Sequence, residues 1–289
     1  MSDILGSVTL RRREDLFRES PVQRLKRVGL STAYGLKKNG LSELVPYWRQ
    51  WVSERMHPRD TLPDPERPYD GVKNVGLVHD LSVDTLIAAY RRGLFTAGHY
   101  GTLAWASPQE RCVLFLEEMR IGKNVKRLMK QNRYRVTFDC DLEQVMLACA
   151  SPRKARFAVT WITPRIMRAY AELYDAGFVH SFEVWDEQNA LVGGGYGVAL
   201  GRMFFTESQF SFENNTSKYG FAVLNRHLQT WGYRLNDGKN VTPTLTEAGF
   251  RAISRADFLC ELDAAAHDGG KSGRWTVEMD AAQCVAGSG

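Results

Sequence analysis

Between Phe178 and Ser211 the chain reads F-V-H-S-F-E-V-W-D-E-Q-N-A-L-V-G-G-G-Y-G-V-A-L-G-R-M-F-F-T-E-S-Q-F-S, and this stretch limits the fold more than any other. Its apolar runs are parted by Asp186-Glu187-Gln188-Asn189 and by Leu200-Gly201-Arg202. Short polar or glycine-bearing breaks between such runs predict three strands in an antiparallel meander. Asn215 to Trp231 then reads as a helix, Y-R-L-N-D as a strand, and T-L-T-E-A-G closes the unit at Gly249. A strand–helix–strand connection points to a crossover, so antiparallel strands give way to a mixed sheet. Upstream, Y-R-V-T-F-D-C-D predicts a strand, D-L-E-Q-V-M-L-A-C-A-S a helix, and T-P-R-I-M-R-A-Y-A-E-L-Y-D-A-G a helix ended by Gly177. The fold class expected is α/β (α+β).

Nothing in the composition opposes a packed core. The chain has 289 residues, 44% hydrophobic and 25% charged, which excludes collagen, bulk disorder and a disulfide-stapled miniprotein. No run approaches the roughly 18 to 20 apolar residues of a membrane-spanning helix, and M-S-D-I-L-G-S-V-T-L-R-R-R-E-D lacks a secretory apolar run. Five cysteines without a C-x-x-C pair suggest neither a disulfide frame nor a metal site. The expectation is a reduced, cytoplasmic protein.

The net charge of +5 is unevenly spread. From Arg11 to Lys38, nine basic residues face three acidic ones, a local +6. E-L-V-P-Y-W-R-Q-W-V-S-E-R-M follows at Glu43 to Met56. Residues 11–56 read either as a solvated arm with one helix packed on the body, or as a contact for a membrane surface or an RNA backbone. His57 to Gly71 holds four prolines and reads as an extended linker. The expected organisation is a basic extension and linker over 1–70, a small N-terminal α/β domain over 71–117, a main domain over 118–262, and a mobile tail over 263–289. Within the small domain, D-L-S-V-D-T-L-I-A-A-Y-R-R-G-L-F predicts a helix capped by Ser82 and stopped at Gly93, with two short strands flanking Ser107-Pro108.

One helix carries a cationic face. Lys123, Lys126, Arg127 and Lys130 fall at i, i+3, i+4 and i+7, so they share one side while Val125, Leu128 and Met129 point into the core. Acidic partners four residues away are missing, which favours a polyanionic ligand over a merely solvated face.

Several strings then coincide in order and spacing with one family: A-Y-R-R-G-L-F at 89–95, W-A-S-P at 105–108, Y-R-V-T at 134–137, T-W-I-T at 160–163, H-S-F-E-V-W at 180–185, L-V-G-G-G-Y-G-V at 191–198, T-E-S-Q-F-S at 206–211 and N-D-G-K at 236–239. The chain resembles the leucyl/phenylalanyl-tRNA–protein transferases over about two thirds of its length, with residues 1–70 outside the resemblance. The resemblance implies a GNAT-type acyltransferase domain, aminoacyl-tRNA as co-substrate with no other cofactor, and an acceptor that is a protein or peptide N-terminus or a small amine. It also implies Glu207 and Asp237 as acidic active-site positions, with Lys239 beside them. Trp161, Gly195, Phe204, Gln209 and Phe210 would line the aminoacyl pocket, although Trp161 can equally be core. Lys123, Lys126, Arg127 and Lys130 would receive the acceptor stem, with Trp105 and Ser107 near the terminal adenosine. The oligomeric state is left open.

The departures fall where substrates are chosen. The family's W-W-S-P is Trp105-Ala106-Ser107-Pro108 here, and two pocket methionines are Gly195 and Gln209. A lost side chain widens a pocket and an amide demands a hydrogen bond, so the expected donor is larger or more polar than leucine. The family's D-C-Q is Asp237-Gly238-Lys239. A charged lysine cannot accept a hydrogen bond, so Lys239 is expected to pair with Asp237 or to meet an anionic acceptor, disfavouring acceptors that start with Arg or Lys. Two other readings stand beside this one. A GNAT enzyme with a thioester donor needs a Gly-rich loop opening its helix, which F-E-N-N-T-S-K does not supply. A non-catalytic RNA- or membrane-associated protein is the other, opposed by the retention of Glu207 and Asp237.

Overall fold

The computed structural model describes residues 13–57, 61–71, 73–98, 103–151, 160–267 and 269–286. Contacts divide the chain into two compact units, one built from residues up to 109 with 150–172, the other from 110–149 with 173 onward. The first unit contains the long helix α1 (Pro21–Met56), β1 (Asn74–Leu77), α2 (Val83–Arg91), β2 (Phe95–Ala97) and β3 (Ala104–Ala106). Its three strands form an antiparallel sheet in the order β1-β3-β2. The Ser82 side chain caps α2 by accepting from the Thr85 amide, and Gly93 leaves the helix at φ +73°. Tyr90 and Tyr170 join hydroxyls at 2.6 Å in this unit's core.

Residues 1–70 are not all extension. Near the end of α1, the Glu54 carboxylate is buried against β1, accepts the Leu77 amide at 3.2 Å and meets His79 Nε2 at 2.7 Å. A buried carboxylate needs such partners, and they lie 23 and 25 residues away, beyond any local pattern. The described part of that stretch therefore belongs to the first unit.

The second unit carries β4 (Glu110–Phe115), α3 (Lys123–Lys130), β5 (Arg135–Phe138), α4 (Leu142–Ala150), β6 (Val179–Trp185), β7 (Leu191–Leu200), β8 (Met203–Ser211), α6 (Thr216–Thr230), β9 (Leu235–Lys239), α7 (Pro243–Glu247), β10 (Arg251–Ser254), α8 (Arg255–Ala265) and α9 (Ala281–Ala286). Helix α5 (Pro164–Asp175) runs across the division. Seven strands lie in the order β10-β4-β9-β8-β7-β6-β5. All neighbours are antiparallel except β8 and β9, which are parallel and joined through α6. The meander and crossover read from the sequence are thus present, and the fold is mixed α/β. A boundary at 117 is not where the units part. β4 lies between β10 and β9 because Cys112, Val113 and Leu114 are fully buried there.

The described part of the tail, residues 263–267 and 269–286, contributes buried side chains to the core, where a mobile tail was expected. Trp275 is 1% exposed, stacks on His180 at 3.6 Å and donates its amide to Asp139 Oδ2 at 2.7 Å. Cys284 and Val285 of α9 are buried in the same core. His227 donates from Nδ1 to the Val223 carbonyl, and its Nε2 accepts the Glu278 and Met279 amides at 2.9 and 3.1 Å. Burial holds this imidazole below its usual range. Glycine permits the path of this segment. Gly270, at φ +89°, passes so close to Gly201 that a Cβ would sit 2.2 Å from the Gly201 carbonyl oxygen.

Candidate functional site

The site is built where β8 and β9 stop pairing. Their parallel ladder runs from Met203 opposite Leu235 to Phe205 opposite Asp237. Beyond it each strand carries a bulge against its outer neighbour. On β8, Thr206 faces Gly197 and Ser208 faces Tyr196, which leaves Glu207 as the inserted residue. On β9, Asp237 faces Val113 and Lys239 faces Cys112, which leaves Gly238 inserted. A bulge bends its strand and re-aims the side chain there, so the two parallel strands fork with Glu207 and Asp237 at the crotch.

One face of the fork is tied to α6 by amides and hydroxyls. Thr206 Oγ1 donates to Asn236 Oδ1 at 2.8 Å, Asn236 Nδ2 to Asn225 Oδ1 at 2.7 Å, and Asn225 Nδ2 to the Phe221 carbonyl at 2.8 Å. Side chains alternate across a strand, so Asp237 takes the opposite face. There Arg111 grips it with Nε to Oδ1 at 2.9 Å and Nη2 to Oδ2 at 2.7 Å. The Arg111 guanidinium also lies 4.4 Å from the Phe258 ring centroid. The Lys239 amide donates to Asp237 Oδ1 at 2.8 Å. Lys239 Nζ pairs with Glu207 Oε1, their side chains 9% and 0% exposed.

Two cations and two carboxylates therefore meet in a water-poor place with no net charge. Burial pulls the Lys239 ammonium below its usual range, against the opposing pull of Glu207. Burial, helped by Asp237, pushes the Cys112 thiol up to about 11. The pairing differs from the expected one: Lys239 meets Glu207, and Asp237 is held by Arg111, which the sequence reading did not single out. The signal was present, since an arginine inside the apolar strand E-R-C-V-L-F requires a buried partner.

On the α6 side lies a cavity of about 190 Å³, walled by Met119, Phe221, Ala222 and Leu245, with Gln209, Asn225 and Lys123 among its polar groups. Gln209 alone of the five expected pocket residues lines it. Phe204 is buried in the core 5.9 Å from Trp275, and Phe210 packs 4.9 Å from Phe212. Gly195 does not widen a pocket. A Cβ there would meet Phe182 Cε1 at 2.7 Å, the Ser208 carbonyl at 2.7 Å and Gln209 Cγ at 2.8 Å, so neighbours already fill the space.

Along α3, Lys123, Arg127 and Lys130 are exposed and Lys126 is half-buried, while Val125 and Met129 are buried. No salt bridge engages the four cations among the described residues. In the first unit, Trp105 is 3% exposed on the central strand and Ser107 is 2% exposed. Trp161 packs edge-on against Tyr170 at 6.4 Å.

The family described as leucyl/phenylalanyl-tRNA protein transferase matches residues 113–263, a span that contains β8, β9, α6 and the cavity. The leucyl/phenylalanyl-tRNA–protein transferase of Pseudomonas fluorescens strain Pf0-1 is 49% identical over 180 residues, covering 62% of this chain and 79% of that protein. Its counterpart from Pseudomonas syringae pv. tomato is 47% identical over 193 residues, covering 66% and 82%. Among solved structures, L-PGS from Bacillus licheniformis aligns over 47% of each chain at 12% identity and a TM-score of 0.34. Family match and close relatives together carry the assignment: the chain belongs to the leucyl/phenylalanyl-tRNA protein transferase family.

Proposed function

We propose that this protein transfers an amino acid from an aminoacyl-tRNA to the amine of a protein N-terminus, from an acyltransferase domain of GNAT type. The observation that carries this reading is the family match across 113–263, which runs through both bulged strands and the cavity lined by 119–125, Gln209, α6 and α7. The reaction forms an amide bond as the ester to the terminal ribose breaks. The ester is already activated, and an α-amine with a pKa near 8 is partly neutral at pH 7. Positioning of the two reactants therefore supplies much of the rate. A carboxylate that orients the amine or takes its proton adds roughly 10²–10⁴-fold. Asp237, fixed by Arg111 and by the Lys239 amide, is our candidate for that role, with Glu207 and Lys239 as its neighbours.

The cavity on the α6 side is the candidate seat of the aminoacyl group, and the amide of Gln209 on its wall favours a donor with a polar side chain. The exposed cations of α3 would hold the acceptor stem through phosphates. Glu207 offsets the charge of Lys239, so the basis for expecting repulsion of Arg- or Lys-starting acceptors is removed. Transfer assays with separately charged tRNAs and peptides of each N-terminal residue test the reading. RNase should abolish transfer. Transfer that survives RNase and requires a coenzyme A thioester would overturn the assignment, and a clear preference for Leu over every polar residue would overturn the donor proposal.

A further inference from the structure

Among its described residues, helix α1 carries Glu54 buried against its own unit and a separate set of exposed apolar side chains. At about 100° per residue, Val45, Trp48, Val52 and Met56 fall within an arc of about 80°, a stripe of about 16 Å along the axis. All four are open to solvent, at 51%, 57%, 44% and 70%. Glu54, buried against β1, projects about 160° from the centre of that arc, so the docked and apolar faces are opposed. Arg49 and Arg55 are exposed and sit about 20° beyond the two edges of the stripe. Arg55 lies over the Trp51 ring at 5.5 Å, and Trp51 contacts Trp48 edge-on at 5.4 Å. Over its length, α1 has seven basic residues and two acidic ones, and one of the acids is the inward-facing Glu54.

We propose that this face of α1 lies on the surface of an anionic lipid bilayer. Val45, Trp48, Val52 and Met56 enter the boundary between headgroups and acyl chains, and Arg49 and Arg55 bind lipid phosphates on either side. An apolar stripe bordered by cations is the geometry of a helix lying in a membrane interface, where indoles are also well accommodated. An RNA backbone would satisfy the arginines but gives Val45, Val52 and Met56 nothing to bury into, so lipid accounts for both halves of the pattern. No helix among the described residues is long and apolar enough to cross a membrane, so this contact lies on the bilayer rather than through it.

The test is co-sedimentation of the full chain with vesicles of phosphatidylcholine, with and without about one third phosphatidylglycerol. Binding is expected on the anionic vesicles and much less on the neutral ones. The double variant Val52→Glu/Met56→Glu should weaken it at least about tenfold, and Arg49→Glu/Arg55→Glu should remove the preference for anionic lipid. All these positions are exposed, so amino-acid transfer in lipid-free solution and the helical circular dichroism signal should be unchanged. Failure to bind anionic vesicles overturns the proposal. So does a Val52→Glu/Met56→Glu variant that binds them like the wild type, loses affinity for tRNA instead, or converts a dimer to a monomer by light scattering.

Discussion

Placing at position 195 the methionine that the resemblance implies is a sharp test of how the sheet is packed. The new Cβ alone would stand 2.7 Å from Phe182 Cε1, 2.7 Å from the Ser208 carbonyl oxygen and 2.8 Å from Gln209 Cγ. Gln209 Cγ belongs to a flexible side chain that also lines the adjoining cavity. Phe182 is 1% exposed and has little room to retreat, while Ser208 belongs to the ladder between β7 and β8. Overpacking a core of this kind costs about 1–3 kcal/mol, and two contacts of limited mobility out of three place Gly195→Met near 3 kcal/mol. For a unit of this size that lowers Tm by about 6–12 °C. Gly195→Ala should show a large part of the loss, since the Cβ makes the collision. Trimming the ring with Phe182→Val in the Gly195→Met background should recover more than the two single effects predict. Urea denaturation of the four proteins measures this. If Gly195→Ala and Gly195→Met both fall within about 0.5 kcal/mol of the parent, the space at 195 is open and the packing described here is wrong.

Three further outcomes follow from named contacts. Arg111→Met strands Asp237 in the interior and should cost about 3–5 kcal/mol, with Arg111→Lys recovering only part because it lacks the two-pronged geometry; urea midpoints within error of the parent would show that the pair does not hold β4 to β9. Because burial keeps the His227 imidazole below its ordinary value of about 6.5, the unfolded chain binds more protons as the solution is acidified. Stability from this residue is present above about pH 6.5 and is lost as pH falls through the lower folded value; the amides of Glu278 and Met279 should lose hydrogen-exchange protection on acidification, and a rise or no change refutes the anchor. Changing Lys123, Arg127 and Lys130 to Gln should flatten the salt dependence of tRNA affinity by up to about three units of log–log slope, whereas an unchanged slope would remove α3 from the RNA contact.

The strands and helices of the second unit were largely legible because their signals are local. Asp186 to Asn189 and Leu200 to Arg202 break the meander where the structure does, and Gly177 and Gly249 end their segments at φ +82° and +100°. What escaped was long-range or conformational. Arg111 and Asp237 are 126 residues apart and Asp139 and Trp275 136, so neither pairing leaves a periodic trace. The bulges at Glu207 and Gly238 each insert one residue without altering the apolar pattern, yet they decide that Lys239 reaches Glu207. The tail carries no periodic pattern, and its Gly270 serves a close passage beside Gly201 rather than freedom. Gly195 misled in the same way: an absent side chain suggests a hole only when the neighbours are unknown.

The bulge at Gly238 separates two duties that a regular strand would merge. Asp237 is located by a guanidinium from β4 and by the main-chain amide of residue 239, and neither depends on the side chain at 239. Lys239 itself takes a left-handed backbone, φ +65°, directly after the inserted glycine. A lineage could therefore exchange the side chain at this position, and with it the polarity offered to Glu207, while the neighbouring carboxylate stays where it is. Such a site can be retuned one residue at a time without passing through a disassembled intermediate.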